Sequence, residues 1–376
     1  MTHVFIVDNI TFKYHLEYMF AGTGAKDKQA IFLTNPNVPN DKESFPPVTE
    51  RNLVAMIADI SRVKVGDKII FYSQATSERA GMFFGVFKAI SNPFFDENDD
   101  KNYLKSDLKK GLSFRVLIAP DQVFKFGVTE RELLDNIADK KYPYQLCWSL
   151  IYRKLKGNRG CTMITDYEYD ELYNKLSLLN SGKTLNFSNY TYDLKQNAIV
   201  EANSTKQYMG RKNTIDIEPR MIYKAQRRGI AFETHLQAYV VRQIVEKNAS
   251  LLGKLGINPN LDFWIGNEVS CGVGMQRIDV MIIQEVGNNA INIIPIELKD
   301  EKPTEKIFNQ INLYVDWILQ YVKPNYDDRQ KTVQINPFII ASETTNSMIV
   351  NKITSDDIGY ISIELSNNQF EFNKLN

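Results

Sequence analysis

Two apolar runs in the C-terminal half of the chain predict a β-hairpin. The first run spans 277–283 and the second spans 291–299, with a Gly-Asn-Asn turn ending at Asn289 between them. Both runs are rich in β-branched residues, which favour strands. The second run ends with Glu297 and Lys299, and the two-residue period of a strand places their side chains on one face.

Each arm of this hairpin carries a carboxylate, Asp279 in the first and Glu297 in the second. Burying a carboxylate is costly unless a cation or several donors satisfy it. The two acids, with Lys299 beside them, therefore predict a divalent metal site. The alternative interpretation is an ordinary Glu–Lys pair at a solvated strand end.

Helical patterns flank the hairpin on both sides. Residues 229–236 open a helix that carries Glu233 close to an apolar stripe. After the hairpin, Pro303 suits the first position of a second helix, in which Gln310 and Tyr314 share a face at i, i+4. The stripe of the first helix consists of Phe232, Leu236, Tyr239, Val240 and Ile244.

The order of these motifs resembles the core of the PD-(D/E)xK nuclease superfamily. It is most similar to the branch of the archaeal and actinobacterial mismatch endonucleases EndoMS/NucS, on its Arg-Ile-Asp strand, its Ile-Glu-Leu-Lys strand and its Gln-x-x-x-Tyr helix. The residue before Asp279 is Ile278, so the proline of the superfamily's name is missing here. The resemblance implies an α/β nuclease core over 214–376.

The same resemblance implies roles for individual residues. Asp279, Glu297 and the Leu298 carbonyl would bind Mg²⁺, with Mn²⁺ as a substitute, while Lys299 orients or deprotonates the attacking water. Glu233 would bind a second metal directly or through water. Gln310 completes the implied catalytic set, and Tyr314 belongs to the implied DNA-binding set.

The N-terminal part, 1–179, is predicted to form an α+β unit. Short strands separated by turns, as at 64–72 and 81–87, predict a small β-barrel, and 167–178 predicts a closing helix. The region resembles the EVE domain of the PUA-like superfamily. The resemblance is carried by a Thr-Asn-Pro strand end at 34–36, a Val-Gly-Asp-x-Ile-Ile-Phe-Tyr strand, a Phe-Gly-Val-Phe strand and a late Lys-x-Asn-Arg-Gly segment.

EVE-like domains imply reading of modified or flipped bases in aromatic pockets. The candidate stacking residues are Trp148, Tyr72 and Phe71, and the alternative for each ring is packing in the core. Phosphate contacts are predicted from two basic clusters, although such runs also occur on solvated faces. The clusters are Arg153, Lys154, Lys156 and Arg159, and, ahead of the Glu233 helix, Arg220, Lys224, Arg227 and Arg228.

The segment 180–213 is polar, rich in Asn, Ser and Thr, and lacks apolar periodicity, which predicts a linker or mobile arm. The chain has 376 residues and a formal net charge of zero, which argues against non-specific coating of polyanions. Three scattered cysteines favour neither a disulfide framework nor structural zinc. No secretory signal or run of about 20 apolar residues occurs, so a soluble cytoplasmic protein is expected.

The combined prediction is an α+β protein of two domains that acts as a Mg²⁺-dependent restriction endonuclease on double-stranded DNA. The N-terminal domain would select the target and the C-terminal domain would cut it, as a homodimer for double-strand cleavage. Modification-dependent and sequence-specific restriction both stay open. The alternatives are a mismatch or damage repair endonuclease and a non-catalytic reader of modified nucleic acid, although the intact acid-acid-lysine set counts against the reader.

Overall fold

The computed structural model describes residues 1–24, 30–34, 47–97, 103–135, 140–151, 160–226, 233–271 and 276–375. The chain divides into two compact units, which are Met1–Asp216 (unit 1) and Ile217–Asn376 (unit 2). The predicted start of the second domain at Thr214 lies close to this division. Within the described ranges, no helix is both long and apolar enough to cross a membrane.

Unit 1 combines helices with a curled sheet. Its strands are β1 (Thr2–Val7), β2 (Phe20–Thr23), β3 (Lys68–Ser73), β4 (Met82–Ala89), β5 (Phe94–Phe95), β6 (Phe114–Pro120), β7 (Val128–Thr129), β8 (Cys161–Ile164), β9 (Tyr190–Asp193) and β10 (Ala198–Glu201). Its helices are α1 (Thr11–Glu17), α2 (Ile31–Thr34), α3 (Pro47–Ser61), α4 (Lys105–Leu108), α5 (Glu130–Leu134), α6 (Trp148–Ile151) and α7 (Asp166–Leu179), with a 3-10 turn at Pro143–Gln145.

The main sheet of unit 1 runs in the order β2-β6-β4-β3-β1-β8, with β5 beside β6 and β7 beside β4. Its two end strands come close to each other where the sheet curls. A Cβ added to Gly160, just before β8, would lie 2.2 Å from Oγ1 of Thr23 in β2. Among the described residues β2 and β8 form no strand pair, so the predicted barrel is not closed by hydrogen bonds there.

Two local predictions in unit 1 can be compared with its helices. Helix α7 begins after Thr165, whose hydroxyl accepts from the main-chain N–H of Glu168, while the Glu168 carboxylate accepts from the N–H of Thr165 at 2.7 Å. This capping box explains why the predicted closing helix forms. The strand end predicted at 34–36 is wrong at Thr34, because Ile31–Thr34 is helical, and residues 35–36 lie outside the described residues. Glu97, from a distant segment, accepts from the N–H of Ala30 at 2.8 Å as this helix begins.

The predicted linker over 180–213 is wrong, because this segment is folded onto unit 1. Strands β9 and β10 pair antiparallel, with Ile199 opposite Tyr192. Both residues are buried, and the Tyr192 ring lies 4.8 Å from the ring of Phe12 between centroids. Apolar residues alternate with polar ones in this segment, and the overall polarity hides this pattern in the sequence. The apolar side chains become buried only when the strands pack on the rest of unit 1.

A buried arginine fixes the end of the same segment. Arg115 is fully buried, and its Nη1 donates to the Asp96 carboxylate at 2.6 Å and to the Tyr208 hydroxyl at 2.9 Å. Its other nitrogens donate to main-chain oxygens of Tyr103, Gly111 and Leu112. A buried ion pair is stable only when its hydrogen bonds are complete, and removing one partner costs about 3–5 kcal/mol. Tyr208 therefore belongs to the folded core of unit 1.

Unit 2 is a mixed sheet with helices. Its strands are β11 (Phe263–Ser270), β12 (Arg277–Val286), β13 (Ala290–Leu298), β14 (Thr332–Ile335), β15 (Phe338–Ala341), β16 (Gly359–Ser366) and β17 (Gln369–Lys374). Its helices are α8 (Glu218–Gln226), α9 (Glu233–Val245), α10 (Ala249–Leu255), α11 (Lys306–Trp317), α12 (Lys323–Asp327) and α13 (Ser347–Ser355), and a π-helical turn follows α11 at Ile318–Val322.

The sheet of unit 2 runs in the order β11-β12-β13-β15-β16-β17, with β14 beside the first half of β13. The predicted hairpin of β12 and β13 is confirmed, since Val280 pairs with Ile296 in antiparallel register. On its other side β13 pairs in parallel with β14 up to Ile293 and with β15 from Ile296 onward. Pro295, which has no N–H to donate, lies where the strand changes partner.

The central position of β13 explains its sequence. From Ile291 to Leu298 every residue is buried, as expected for a strand covered on both faces. Strand β17, which contains Phe370 and Phe372, lies at the edge of this sheet. The predicted helix start at Pro303 is wrong, because α11 begins at Lys306.

Candidate active site

The hairpin places the two predicted acids side by side. Continuing the register beyond Val280 and Ile296 puts Asp279 opposite Glu297, so both side chains share one face of the sheet. The Asp279 Oδ2 atom accepts from the main-chain N–H of Leu298 at 2.8 Å. Asp279, Glu297 and the end of β13 therefore meet at one point of the sheet.

Glu297 is the most enclosed of the candidate carboxylate ligands, with 1% of its surface exposed. Its Oε2 accepts from the Tyr314 hydroxyl at 2.6 Å. Its Oε1 forms an ion pair with Nζ of Lys299 at 2.6 Å. The buried Glu297 carboxylate is thus held by a cation at one oxygen and by a hydroxyl donor at the other.

Lys299 lies between two carboxylates. Besides its contact with Glu297, its Nζ lies 3.4 Å from Oε2 of Glu233, at the start of α9. Burial alone would lower the pKa of Lys299, but the Glu297 charge and contact outweigh burial and raise this pKa above its ordinary value. These contacts favour the charged form of Lys299, whose ammonium can donate hydrogen bonds.

The acids repel one another. Burial, followed by the charge of Glu297, raises the pKa of Asp279 well above its ordinary value, although the Leu298 N–H partly offsets this rise. Burial also raises the pKa of Glu233, helped by the Glu297 and Asp300 charges and opposed by Lys299. A divalent cation at Asp279 and Glu297 would remove this repulsion.

We compared this donor set with the needs of a divalent ion. Among the residues that the structure describes, no three His, Cys, Asp or Glu side chains converge closely enough to enclose a metal by themselves. Mg²⁺, however, usually keeps several waters and is held by one or two carboxylates. Asp279, Glu297 and the main-chain oxygen of Leu298 therefore fit a partly hydrated ion. Ligation by Glu233, whose side chain is 47% exposed, stays a prediction.

Tyr314 does not lie where a DNA contact requires it. Only 3% of its surface is exposed, so the predicted contact with DNA is wrong. Its hydroxyl instead holds Glu297, and burial together with the nearby carboxylates raises the pKa of Tyr314, which keeps the hydroxyl protonated as a donor. Gln310 lies one turn earlier on α11 and is partly exposed, and its catalytic role stays a prediction.

Three residues near the acids were missed by the sequence reasoning. Gln237, one turn after Glu233 on α9, donates to the main-chain oxygen of Asp279 at 3.0 Å. Asp300 directly follows Lys299, and its Oδ2 is buried without a hydrogen-bond partner. Burial and the charges of Glu297 and Asp279 raise the pKa of Cys271 to about 12. Asp300 could have been noticed as an acid adjoining the motif, whereas the other two depend on tertiary contacts.

The aromatic candidates of unit 1 are mostly core residues. Phe71 is fully buried and Tyr72 is 1% exposed, since both lie in β3, an inner strand of the sheet. The Tyr72 hydroxyl donates to Glu130. The prediction that these two rings stack on a base is wrong, because neither has a free face. Trp148 is partly exposed, with its Nε1 donating to the Pro143 carbonyl at 2.8 Å, and it stays a candidate.

The basic candidates are only partly described. Arg153, Lys154, Lys156, Arg159, Arg227 and Arg228 lie outside the described residues. Arg220 is 5% exposed and its guanidinium lies 5.0 Å from the centre of the Tyr223 ring. The predicted phosphate contact of Arg220 is therefore wrong. Lys224 is partly exposed and stays a prediction.

No protein-family model matches this sequence, and comparison with curated proteins finds no sequence match. Among solved structures, a hypothetical protein from Leishmania major is similar at 11% identity and a TM-score of 0.30, over 47% of this chain and 95% of that one. A protein from Pseudomonas putida is similar at 13% identity and a TM-score of 0.26, over 46% and 98% of the two chains. Human THYN1 protein, solved in complex with DNA containing 5-methylcytosine, is similar at 14% identity and a TM-score of 0.26, over 47% and 96%.

Proposed function

We propose that this chain is a Mg²⁺-dependent endonuclease that hydrolyses phosphodiester bonds of DNA at the β12–β13 hairpin. The observation that carries the proposal is the pairing of the buried Glu297 with Asp279 on one face of the sheet, with Lys299 2.6 Å from Oε1 of Glu297. Burying these carboxylates together costs free energy in the protein alone. A bound divalent cation would balance their negative charge.

Each residue of the site has a distinct task in this reaction. Asp279, Glu297 and the Leu298 carbonyl would hold the ion, and Tyr314, which donates to Glu297, would keep this carboxylate in the required direction. The bound ion would polarise the phosphoryl group and favour ionisation of water. Lys299, held as a cation between two acids, orients the attacking water. Attack on phosphorus breaks one P–O ester bond and leaves a phosphate monoester and a hydroxyl.

We further propose that the protein is a restriction enzyme in which unit 1 selects the target, which includes a modified or flipped base. The EVE-like sequence motifs of unit 1 and the partly exposed Trp148 support this division of labour. Base reading requires stacking surfaces and edge-directed donors, whereas the hairpin site requires only a phosphate. Cleavage of both strands would use a homodimer, one site for each strand.

The test is digestion of matched methylated and unmethylated plasmids by the full chain, with Mg²⁺ and with EDTA. We expect discrete fragments with Mg²⁺ and none with EDTA, and an Asp279→Asn variant that does not cut. Cutting confined to mismatched or damaged oligonucleotides would instead identify a repair endonuclease. Binding of modified DNA without cleavage under any metal condition would refute the nuclease proposal and favour a reader.

A further inference from the structure

Gln237 makes a contact that the proposed reaction has not yet used. It lies on α9, and 5% of its surface is exposed. Its Nε2 donates to the main-chain oxygen of Asp279 at 3.0 Å, and its Oε1 accepts from Nδ2 of Asn267 at 3.4 Å. The two ends of this buried amide contact β12 and β11, and these contacts fix its orientation. Losing either hydrogen bond would leave a buried polar atom unsatisfied.

The sheet is interrupted where this amide meets it. Strands β11 and β12 keep one register from Phe263 opposite Gln284 to Ser270 opposite Arg277, but the pair of Glu268 and Asp279 is missing from the ladder. Glu268 has a φ of +47°, in the left-handed region that a strand residue does not normally adopt. At Asp279 the neighbouring strand therefore does not hold the backbone, and a side chain from α9 contacts it instead.

We infer that Gln237 is a positioning residue for the metal-binding carboxylate of Asp279. The inference rests on the proposed nuclease function. Asp279 is held at two points, by Gln237 at its main-chain oxygen and by Leu298 at its carboxylate. Since Glu233 lies one turn earlier on α9, the same contact also fixes the distance between Glu233 and the acids of the hairpin.

The effect of losing such a support can be bounded. Groups that orient metal ligands typically contribute about 10- to 100-fold to metal affinity or activity. Gln237→Met keeps the length and the apolar volume of the side chain and removes both hydrogen bonds. Gln237→Asn keeps the amide but shortens its reach by one methylene. We expect both variants to bind the ion about 10- to 100-fold more weakly.

A matched control lies on the same strand as Asp279. Gln284 is fully buried, and its amide donates to and accepts from the main chain of Asn258 at 2.9 Å. It stands five residues along β12 from Asp279, roughly 17 Å away at the rise of a strand. Gln284→Met therefore removes two equally buried hydrogen bonds without touching the site.

The first measurement is Mn²⁺ binding to the full chain without DNA, monitored by the free-ion signal in electron paramagnetic resonance. The second measurement is the Mg²⁺ dependence of DNA cleavage. Asp279→Asn identifies the signal that belongs to this site. We expect the Gln237 variants to lose affinity for Mn²⁺ and to need correspondingly more Mg²⁺ for cleavage, with an unchanged KM for DNA, while Gln284→Met binds as the wild type does.

The outcomes separate the two proposals. If the wild type cuts DNA and binds Mn²⁺ at this site, and both Gln237 variants bind it as tightly, the positioning role is refuted and the nuclease function stands. Equal loss in Gln284→Met would also refute it, because the effect would then be general destabilisation. If the wild type neither cuts DNA nor binds Mn²⁺ at this site, both proposals fail.

Discussion

Replacing Tyr314 by phenylalanine tests whether the Glu297 carboxylate is held by a charge-assisted hydrogen bond. The substitution deletes one hydroxyl and leaves the ring in place. The hydroxyl donates to Oε2 of Glu297 at 2.6 Å, and the two residues are 3% and 1% exposed. Water therefore cannot replace the lost donor without opening the site, and the carboxylate keeps only its Lys299 neighbour.

A hydrogen bond to a charged group contributes about 1.5–3 kcal/mol, against about 0.5–1.5 kcal/mol for a neutral pair. We expect Tyr314→Phe to lower the free energy of unfolding of unit 2 by about 1.5–3 kcal/mol. For a domain of this size, the corresponding fall in Tm is roughly 3–12 °C. The Mg²⁺ concentration required for half-maximal cleavage should rise about 10- to 100-fold, because Glu297 is no longer oriented.

The matched control is Tyr360→Phe. Tyr360 is fully buried on β16, and its hydroxyl donates at 2.5 Å to the neutral main-chain oxygen of Ser342. Urea unfolding of the full chain, followed by the fluorescence of Trp264 and Trp317 in unit 2, measures both variants. Equal losses of stability in the two would refute the charge-assisted interpretation. An unchanged Mg²⁺ requirement in Tyr314→Phe would refute the orienting role.

Three further predictions concern other parts of the chain. Lys299→Ala should slow cleavage at least about 100-fold at saturating Mg²⁺, and a near-wild-type rate would show that the lysine does not orient water. Burial, reinforced by Arg115, lowers the pKa of His15 from 6.5 to about 3, so stability should fall by about 1.4 kcal/mol per pH unit as pH drops below 6.5. His15→Phe should flatten this slope between pH 6.5 and 4.5 in denaturation titrations, and an unchanged slope would refute the assignment. Gly359→Ala should cost about 1–3 kcal/mol in urea unfolding, since its Cβ would lie 2.2 Å from the Phe338 ring, and a neutral effect would contradict this packing.

The β12–β13 hairpin could be predicted because its information is local. Continuous apolar runs, β-branched residues and a Gly-Asn-Asn turn specify the pairing of β12 with β13. The closeness of Asp279 and Glu297 then follows from register alone. Helix α11 was predicted for the same reason, although Pro303 did not mark its start.

Other features required contacts that no short pattern encodes. Phe71 and Tyr72 stand in a strand with neighbours on both sides, which composition cannot distinguish from a strand that lines a pocket. The hydroxyl of Tyr314 could point to DNA or to Glu297, and only the packing of α11 on the sheet decides this. Gln237 contacts Asp279 where the ladder of β11 and β12 is interrupted at Glu268, whose left-handed φ no residue type signals.

The buried Arg115 network determines where recombination between related genes could exchange unit 1 without loss of folding. A crossover at Leu179 would separate the arginine from Tyr208 and remove β9 and β10 from the surface that they cover. The chimaera would contain the buried Arg115 guanidinium without the Tyr208 hydroxyl that accepts from it. Residues from the other parent would have to supply that missing hydroxyl. A crossover after Asp216 leaves the network within one parent. Chimaeras of this protein should therefore be viable at the second junction and misfolded at the first.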